Sequence, residues 1–146
     1  MQTFLPYPDF QKSAQSLDWR RLNKQVIEAM QIANVSILLQ SKLTTGWKNH
    51  PARRMWLGYE YQLCNYALAC RDEWVKRGYN SNTRDKIINI QSHYKDTGLP
   101  SWIGREDFHL SHRQALLHKE IERNEPIWYK NQWPDLEPKL DYIWPV

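Results

Sequence analysis

The sequence predicts an all-α protein, and three observations carry that prediction. Apolar residues recur at a helical period in several stretches, proline and glycine stand at the ends of those stretches, and no segment shows the alternation of a half-buried strand. The chain has 146 residues, which is the length of one domain. We expect a single compact domain over residues 1–146, with about four helices, an extended N-terminal arm and an aromatic, proline-rich C-terminal tail.

The arm and the first helix come first in the chain. Residues 1–15 contain Pro6 and Pro8 and are predicted to be extended. A helix is expected over residues 16–40, because at 100° per residue its apolar side chains, Trp19 among them, fall on one arc and its polar side chains on the opposite arc. The polar arc consists of Arg20, Arg21, Lys24, Gln25, Glu28 and Gln31.

Three more helices are predicted further along the chain. Their expected ranges are 51–77, 83–94 and 111–123. Pro51 suits the first turn of the second helix, Gly78 suits its C-terminal stop, and Ser111 suits the N-cap of the fourth helix. The tail from residue 124 has four prolines and no period, so no helix is predicted there.

Charge and composition narrow the class of protein. The formal net charge is +4 and the pI is about 9.1, with the basic excess in residues 1–119 and an acidic remainder, which suits a polyanionic partner. No stretch approaches the ~20 apolar residues of a membrane span, and the N-terminus lacks the pattern of a signal peptide. We expect a cytoplasmic, monomeric protein whose two cysteines, Cys64 and Cys70, are reduced.

Standard catalytic and cofactor motifs are absent from the sequence. It contains no glycine-rich phosphate loop, no dinucleotide fingerprint and no GxSxG elbow. The stretch EDFHLSH, residues 106–112, carries four side chains that could bind a metal, but their spacing matches no metal motif. Capping and loop contacts are the favoured interpretation, and no metal or cofactor is expected.

Two basic clusters are candidates for phosphate binding. The polar arc of the first helix is, taken alone, typical of a solvated face, since Lys24 and Glu28 are i,i+4 neighbours. The second cluster, KNHPARR, precedes and enters the second helix and holds His50, Arg53 and Arg54. Arginines in a first helical turn oppose the helix dipole, which suggests a nearby phosphate as strongly as it suggests an ordinary surface.

Several motifs resemble the pyrimidine-dimer DNA glycosylase (phage endonuclease V-like) family. They are RDEWVKRGYNS at residues 71–81, RNEPIWYKNQWPD at residues 123–135, and the opening MQTFLPYP followed by LDxRRLxKQxxE. The last pair is similar to a bacterial branch of that family. The resemblance implies a compact all-α fold and an enzyme that removes a damaged base and cuts at the abasic site. In that chemistry the N-terminal α-amine attacks the sugar C1′ and forms a Schiff base, assisted by a carboxylate.

The resemblance also exposes two departures at the expected catalytic positions. The family's amine belongs to a Thr uncovered by Met removal, whereas Gln2 is too large for that removal, so the amine expected here is that of Met1. The essential glutamate of the family aligns with Arg21, which cannot accept a proton. Glu28 is the carboxylate on the same arc, about 10 Å further along the helix, and becomes the candidate. The alternatives left open are Asp9 and Glu60, while Asp18 is expected to act as a helix cap.

Three functions are compatible with these features. The first is a DNA glycosylase, with or without abasic-site lyase activity, that acts on double-stranded DNA carrying a damaged or modified base. Its catalytic residues would be Met1 and Glu28. Its DNA-binding residues would be Arg20, Arg21, Lys24, Gln25, His50, Arg53, Arg54, Trp128, Tyr129 and Lys130. The second is a non-catalytic DNA-binding protein on the same fold, and the third is an enzyme for another anionic substrate such as a nucleotide.

Overall fold

The computed structural model describes residues 2–42, 46 and 48–145 and contains helices but no strand within those ranges. The described helices are α1 (Phe10–Ser16), α2 (Trp19–Gln40), α3 (Pro51–Trp56), α4 (Glu60–Lys76), α5 (Arg84–Gln91), α6 (Glu106–Glu122) and α7 (Tyr129–Gln132). The all-α prediction is confirmed, but the described residues form seven helices instead of the expected four. Within the described part of the chain, no helix is both long enough and apolar enough to cross a membrane.

The N-terminal arm is shorter than predicted because α1 forms inside it. The Asp9 carboxylate accepts a hydrogen bond of 2.8 Å from the Lys12 backbone N–H and caps this helix. Leu17 then adopts an extended conformation, and α2 begins at Trp19 with Asp18 at its N-cap position. The predicted helix over residues 16–40 therefore has a late start, and its first residue belongs to α1.

The predicted second helix is broken into α3 and α4. Gly58 has a φ of 88°, a conformation that side chains with a Cβ rarely adopt, and its N–H donates to the Glu60 carboxylate at 2.8 Å. Because α3 has only six residues, Arg53 and Arg54 lie in its last turn, where the dipole favours cations, as well as in its first. The phosphate expected at this helix start stays a prediction. Gly78, at a φ of 97°, follows the end of α4 as predicted.

The C-terminal region also departs from the prediction. Helix α6 starts at Glu106, so Ser111 is not an N-cap but an interior residue whose hydroxyl donates to the Phe108 carbonyl at 2.7 Å. The same hydroxyl accepts a hydrogen bond of 3.1 Å from the Ile143 backbone N–H. The tail contains the short helix α7 and then returns along α6.

The core lies between α2 and α4, with α1, α3 and α5 packed around them. Trp56 and Tyr66 are fully buried there, as the aromatic composition suggested. Several assignments on α2 were wrong, and two of them concern its first turn. Trp19, expected in the core, is 51% exposed, whereas Arg21, expected on the polar surface, is only 8% exposed. The helical period only separates a polar face of the helix from an apolar one. At the start of α2, contacts with the C-terminal tail determine which side chains are buried.

Residues 2–6 form a buried strand-like arm that passes through the core. Backbone groups in such a position need partners, and side chains supply them. His112 Nδ1 accepts a hydrogen bond of 2.9 Å from the Leu5 N–H, and His109 Nδ1 donates to the Leu5 carbonyl at 2.8 Å. His109 Nε2 accepts from the Gly104 N–H at 2.9 Å, which is consistent with a proton on Nδ1. The histidines of EDFHLSH thus clamp the arm to α6.

We predict that this clamp makes the protein sensitive to acid. Burial, with the nearby charges of His109 and Lys119, lowers the pKa of His112 to about 3, and burial also lowers the pKa of His109. In the unfolded chain both histidines take up a proton near pH 6.5. The unfolded state therefore binds more protons below pH 6.5, and for His112 the free energy of unfolding falls by about 1.4 kcal/mol per pH unit between pH 6.5 and about 3. The lowered pKa of His109 adds a loss of the same sign.

Urea denaturation at a series of pH values measures this slope. His112→Asn keeps an acceptor for the Leu5 N–H but does not titrate, so we expect its slope below pH 6.5 to be shallower. His93→Gln, at an exposed histidine, serves as the control and should keep the full slope. An unchanged slope in His112→Asn would contradict the prediction.

Candidate active site

A cavity of about 410 Å³ lies where the arm, α2, α6 and the returning tail meet. Its lining residues are Gln2, Phe4, Arg21, Lys24, Gln25, Glu28, His50, Lys119, Arg123, Tyr142 and Trp144. It is within the size range of small-molecule sites. The structure thus brings four of the predicted DNA-binding residues and the predicted catalytic glutamate to one cavity. Met1, the other predicted catalytic residue, lies outside the described residues.

Glu28 is the only acidic side chain among the described residues that line this cavity. Burial raises the pKa of its carboxyl, while a hydrogen bond from the Gln2 backbone N–H, the charge of Lys24 and a hydrogen bond from Gln25 act in the opposite direction. The other carboxylates considered from the sequence are occupied elsewhere. Asp9 caps α1 and Glu60 accepts from the Gly58 backbone N–H.

Gln25 connects the arm to Glu28. Its Nε2 donates to the Gln2 carbonyl at 2.8 Å and to Glu28 Oε2 at 3.1 Å. Its Oε1 accepts from the Phe4 N–H at 2.7 Å and lies 2.7 Å from the Tyr66 hydroxyl. Gln25 is 1% exposed with both ends of its amide engaged, which leaves little of this side chain available to DNA. Its amide holds Gln2 beside Glu28.

We predict that Gln25→Leu lowers the free energy of unfolding by about 2–4 kcal/mol. The substitution leaves the Gln2 carbonyl and the Phe4 N–H buried without their partner, and each such group costs about 1–3 kcal/mol. Urea denaturation measures the loss. Gln31→Leu, at an exposed glutamine of the same helix, is the control and should stay within about 0.5 kcal/mol of the parent. Equal stability of the two variants would contradict this role.

Most of the polar contacts of Arg21 are with other residues of the fold. Its guanidinium pairs with Glu125 at 2.8 Å and with Asp18 at 3.3 Å, and lies 5.7 Å from the ring centroid of Tyr129. Burial opposes the charge, but these partners outweigh it and raise the pKa of Arg21. Two carboxylates already neutralise this arginine, so its main effect is to hold the segment before α7 against α2.

Four basic side chains line the cavity together with Glu28. They are Arg21, Lys24, Lys119 and Arg123. Burial lowers the pKa of Lys119, and the charges of Arg123 and Arg21 lower it further. Cations crowded into one concave site produce a positive potential that attracts an anionic ligand. The cavity is therefore electrostatically suited to a phosphate-bearing substrate.

His50 lines the cavity, whereas the two arginines that follow it in the sequence lie outside the cavity. His50 Nδ1 accepts from the Ala52 N–H at 3.1 Å and caps α3, and its ring faces Trp144 at 6.3 Å between centroids. Burial lowers the pKa of His50, which favours the neutral ring. Arg53 donates to the Ser36 hydroxyl at 3.1 Å, and Arg54 is exposed. Neither arginine lines the cavity.

The predicted DNA contacts at residues 128–130 are not brought into the cavity either. The Glu120 carboxylate accepts hydrogen bonds from the backbone N–H groups of all three residues and fixes the start of α7. Tyr129 is fully buried, with its hydroxyl bonded to Asp18, so a direct contact of this residue with DNA is contradicted. Trp128 is 37% exposed and Lys130 is exposed. Arg20, also exposed, lies 5.3 Å from the Trp19 ring centroid.

Several cavity residues were missed from the sequence. Lys119, in the last turn of α6, and Arg123, at its C-cap, are four residues apart, and this spacing was the available signal. Tyr142 and Trp144 come from the returning tail, which is held by the bond from the Ile143 N–H to Ser111. No local pattern announces that return. Among the described residues, no group of three histidine, cysteine or acidic side chains is arranged to hold a metal.

A comparison with protein-family models identifies the relationship. Residues 1–87 match the model described as pyrimidine dimer DNA glycosylase. Curated proteins gave no match, and neither did solved structures. The matched region covers more than half of the chain and contains the arm, α2 and Glu28. The chain belongs to the pyrimidine dimer DNA glycosylase family.

Proposed function

We propose that this protein is a DNA glycosylase that removes a damaged or modified base from double-stranded DNA, with Glu28 as the catalytic carboxylate. Family membership supports DNA repair of this type. One observation carries the assignment to this site: a single amide, that of Gln25, bonds both the Gln2 carbonyl and the Glu28 carboxylate. The start of the chain and the one acidic group on the described cavity wall are therefore held together.

The covalent geometry of the chain supports a role for the Met1 amine. Its nitrogen is three bonds from the Gln2 nitrogen, so the two atoms are at most about 4 Å apart. The Gln2 N–H in turn hydrogen-bonds the Glu28 carboxylate. An amine so tethered falls within reach of a substrate placed against Glu28. A buried arm held by side chains of α2, α4 and α6 is the means by which the fold delivers that end of the chain.

The chemistry follows from the properties of these two groups. An α-amine has an ordinary pKa of about 7.7–8.0, so part of it is unprotonated at neutral pH, and nearby cations favour that form. Its lone pair forms a bond to C1′ as the bond from C1′ to the base breaks, and the base leaves with a proton. Opening of the sugar gives a Schiff base. Removal of a C2′ proton, for which Glu28 is the available base, then expels the 3′ phosphate and cuts the strand.

The surrounding charges suit DNA as the substrate. Lys24, Lys119 and Arg123 line the cavity, and Arg20 is exposed at the start of the same helix as Lys24. Such cations pair with the phosphates beside an extruded nucleotide. A protein that only bound DNA would gain nothing from placing a half-buried carboxylate among them, because that charge repels phosphate.

Duplexes that each carry one pyrimidine dimer, abasic site or hypermodified base test the proposal. With the dimer and the hypermodified base, strand cleavage that appears only after alkali indicates base removal without lyase chemistry, and cleavage before alkali indicates both. With the abasic site, cleavage before alkali indicates lyase activity alone. Trapping with borohydride reports a Schiff base. Salt-dependent duplex binding without base release from any of these substrates would instead indicate a non-catalytic DNA-binding protein. Absence of duplex binding, with turnover of a free nucleotide, would indicate an enzyme for another anionic substrate.

A further inference from the structure

The side-chain amine of Lys119 is held on the wall of the cavity. The residue is half-buried in the last turn of α6, and its Nζ lies 5.1 Å from the centroid of the Phe4 ring and 5.2 Å from that of the Tyr142 ring. Aromatic faces attract a cation, so the two rings keep the ammonium in this place. The Phe4 N–H donates to Gln25, whose amide bonds Glu28. Lys119 and Glu28 therefore belong to one connected set of contacts around the cavity.

The titratable groups that face Lys119 among the described residues come from α2, α6 and the segments after α6. They are Arg21, Glu28, His112, Arg123, Glu125 and Tyr142. Burial and the charges of the two arginines lower the pKa of Lys119, and the two carboxylates act in the opposite direction. Neither carboxylate forms an ion pair with Lys119, since Glu125 pairs with Arg21 at 2.8 Å and Glu28 accepts from Gln25 at 3.1 Å. Lys119 therefore releases its proton more readily than an ordinary lysine.

The proposed reaction needs a proton donor for the base that leaves. A departing base takes the electron pair of the broken bond, and a positioned acid neutralises that charge as it develops. Glu28 is already needed as the base that removes the C2′ proton. To serve as the acid as well, it would first have to be protonated, and the hydrogen bonds from the Gln2 backbone and from Gln25 oppose that form.

The other polar groups of the described cavity lining are poorer proton donors. Amide and guanidinium groups do not release a proton in proteins. The lowered pKa of His50 favours its neutral ring, and burial raises the pKa of the Tyr142 hydroxyl to about 12. Lys24 is exposed, and its charge acts on Glu28, where it favours the unprotonated base. Lys119 is the lining residue whose surroundings favour loss of a proton from a charged group.

Resting on the proposed function, we propose that Lys119 is the general acid that protonates the departing base. An Nζ–H bond breaks, its proton bonds to the base, and the electron pair of the bond from C1′ stays on the base, which leaves as a neutral molecule. Lys119 becomes a neutral amine and regains a proton from water after the base has gone. Lys119 and Glu28 thus divide the proton transfers, because Lys119 gives a proton to the base and Glu28 takes one from C2′.

The two halves of the reaction test this role, because only the first half has a base to protonate. Lys119→Arg keeps the positive charge but does not release a proton. On a duplex with the pyrimidine dimer or hypermodified base that the parent releases, we expect single-turnover base release to fall by about 10²–10⁴-fold. On a duplex with a preformed abasic site, strand cleavage should stay within about threefold of the parent. Lys86→Arg, the same change at an exposed lysine of α5, is the control and should leave both rates unchanged.

The pH dependence provides a readout that a structural role of Lys119 would not move. Base release by the parent should decline in the alkaline range as Lys119 loses its proton, whereas abasic-site cleavage should lack that decline. Lys119→Cys alkylated with bromoethylamine restores an ammonium of lower pKa, so it should recover base release and shift the decline to lower pH. Cys64 and Cys70 are buried, and burial raises the pKa of each to about 12, which protects them from the reagent. Intact mass verifies a single alkylation.

The outcomes separate this proposal from the proposed function. Equal losses of base release and abasic-site cleavage in Lys119→Arg would overturn the acid role, because a structural or nucleophilic lysine affects both steps. Unchanged base release would also overturn it, and loss of base release alone in Lys24→Arg would then assign the acid to Lys24. In these cases the glycosylase stands, because the parent releases the base. Absence of base release by the parent from every damaged duplex would reject the proposed function itself, and the acid with it.

Discussion

Glu28→Gln is expected to lower the rate of base release by about 10²–10⁴-fold, the range found for loss of a positioned acid or base. Glutamine keeps the shape of the side chain and can still accept from Gln25, but it cannot take a proton or stabilise an iminium ion. Affinity for duplex DNA should stay equal or rise, because the substitution removes the one negative charge from the described cavity lining. Single-turnover base release and anisotropy measure the two effects separately.

Glu137→Gln is the matched control, because its carboxylate lies on the exposed tail away from the cavity. Its rate and affinity should equal those of the parent. If Glu28→Gln retained activity within tenfold, the carboxylate assignment would be rejected, since the remaining described residues of the lining carry no other acidic group. Loss of duplex binding along with activity would instead indicate that the substitution disturbs the arm, which urea denaturation would reveal.

The helical period of the apolar residues located most helices. It failed to locate a helix end where the backbone conformation of a single residue determines that end. The second helix was predicted to continue through Gly58, because the residues on both sides keep a helical pattern. Gly58, at positive φ, follows the end of α3 there, and this break places Arg53 and Arg54 in the last turn of a short helix as well as in its first. Ser111 was read as a cap from its residue type, yet α6 begins five residues earlier at Glu106.

The candidate site was predictable only where its residues are close together in the sequence. Glu28 was found because it shares the polar arc of α2 with Lys24, which is a relation between neighbours in sequence. Lys119 and Tyr142 reach the cavity through contacts that span more than 100 residues, for example the position of Lys119 over the Phe4 ring at 5.1 Å. A local sequence pattern does not predict contacts between residues so far apart in the chain.

Gln25 differs from its expected place in another way. Its polarity placed it with the DNA-contacting residues, whereas burial turned the same polarity inward to satisfy the backbone of the arm. A polar residue on a predicted surface can equally serve a buried chain end, and this sequence provides that end with Thr3 and Leu5 as core residues. The buried arm, more than the basic face, separates this fold from a simple DNA-binding helical domain.

Blocking the N-terminal amine should abolish the covalent adduct with abasic-site DNA. Addition of Gly-Ser before Met1 moves the free amine beyond the position that the bond between Gln25 and the Gln2 carbonyl determines, whereas the cavity residues are unchanged. We expect the parent to form a borohydride-stable adduct whose mass maps to the Met1 peptide, and the extended protein to form none while it still binds the same duplex.

Lys119 is the competing amine, because it lines the cavity and burial lowers its pKa. Lys119→Arg keeps the charge and should leave the adduct unchanged, so an adduct that maps to Lys119, or that persists in the extended protein and disappears in Lys119→Arg, would transfer the nucleophile from the chain terminus to α6.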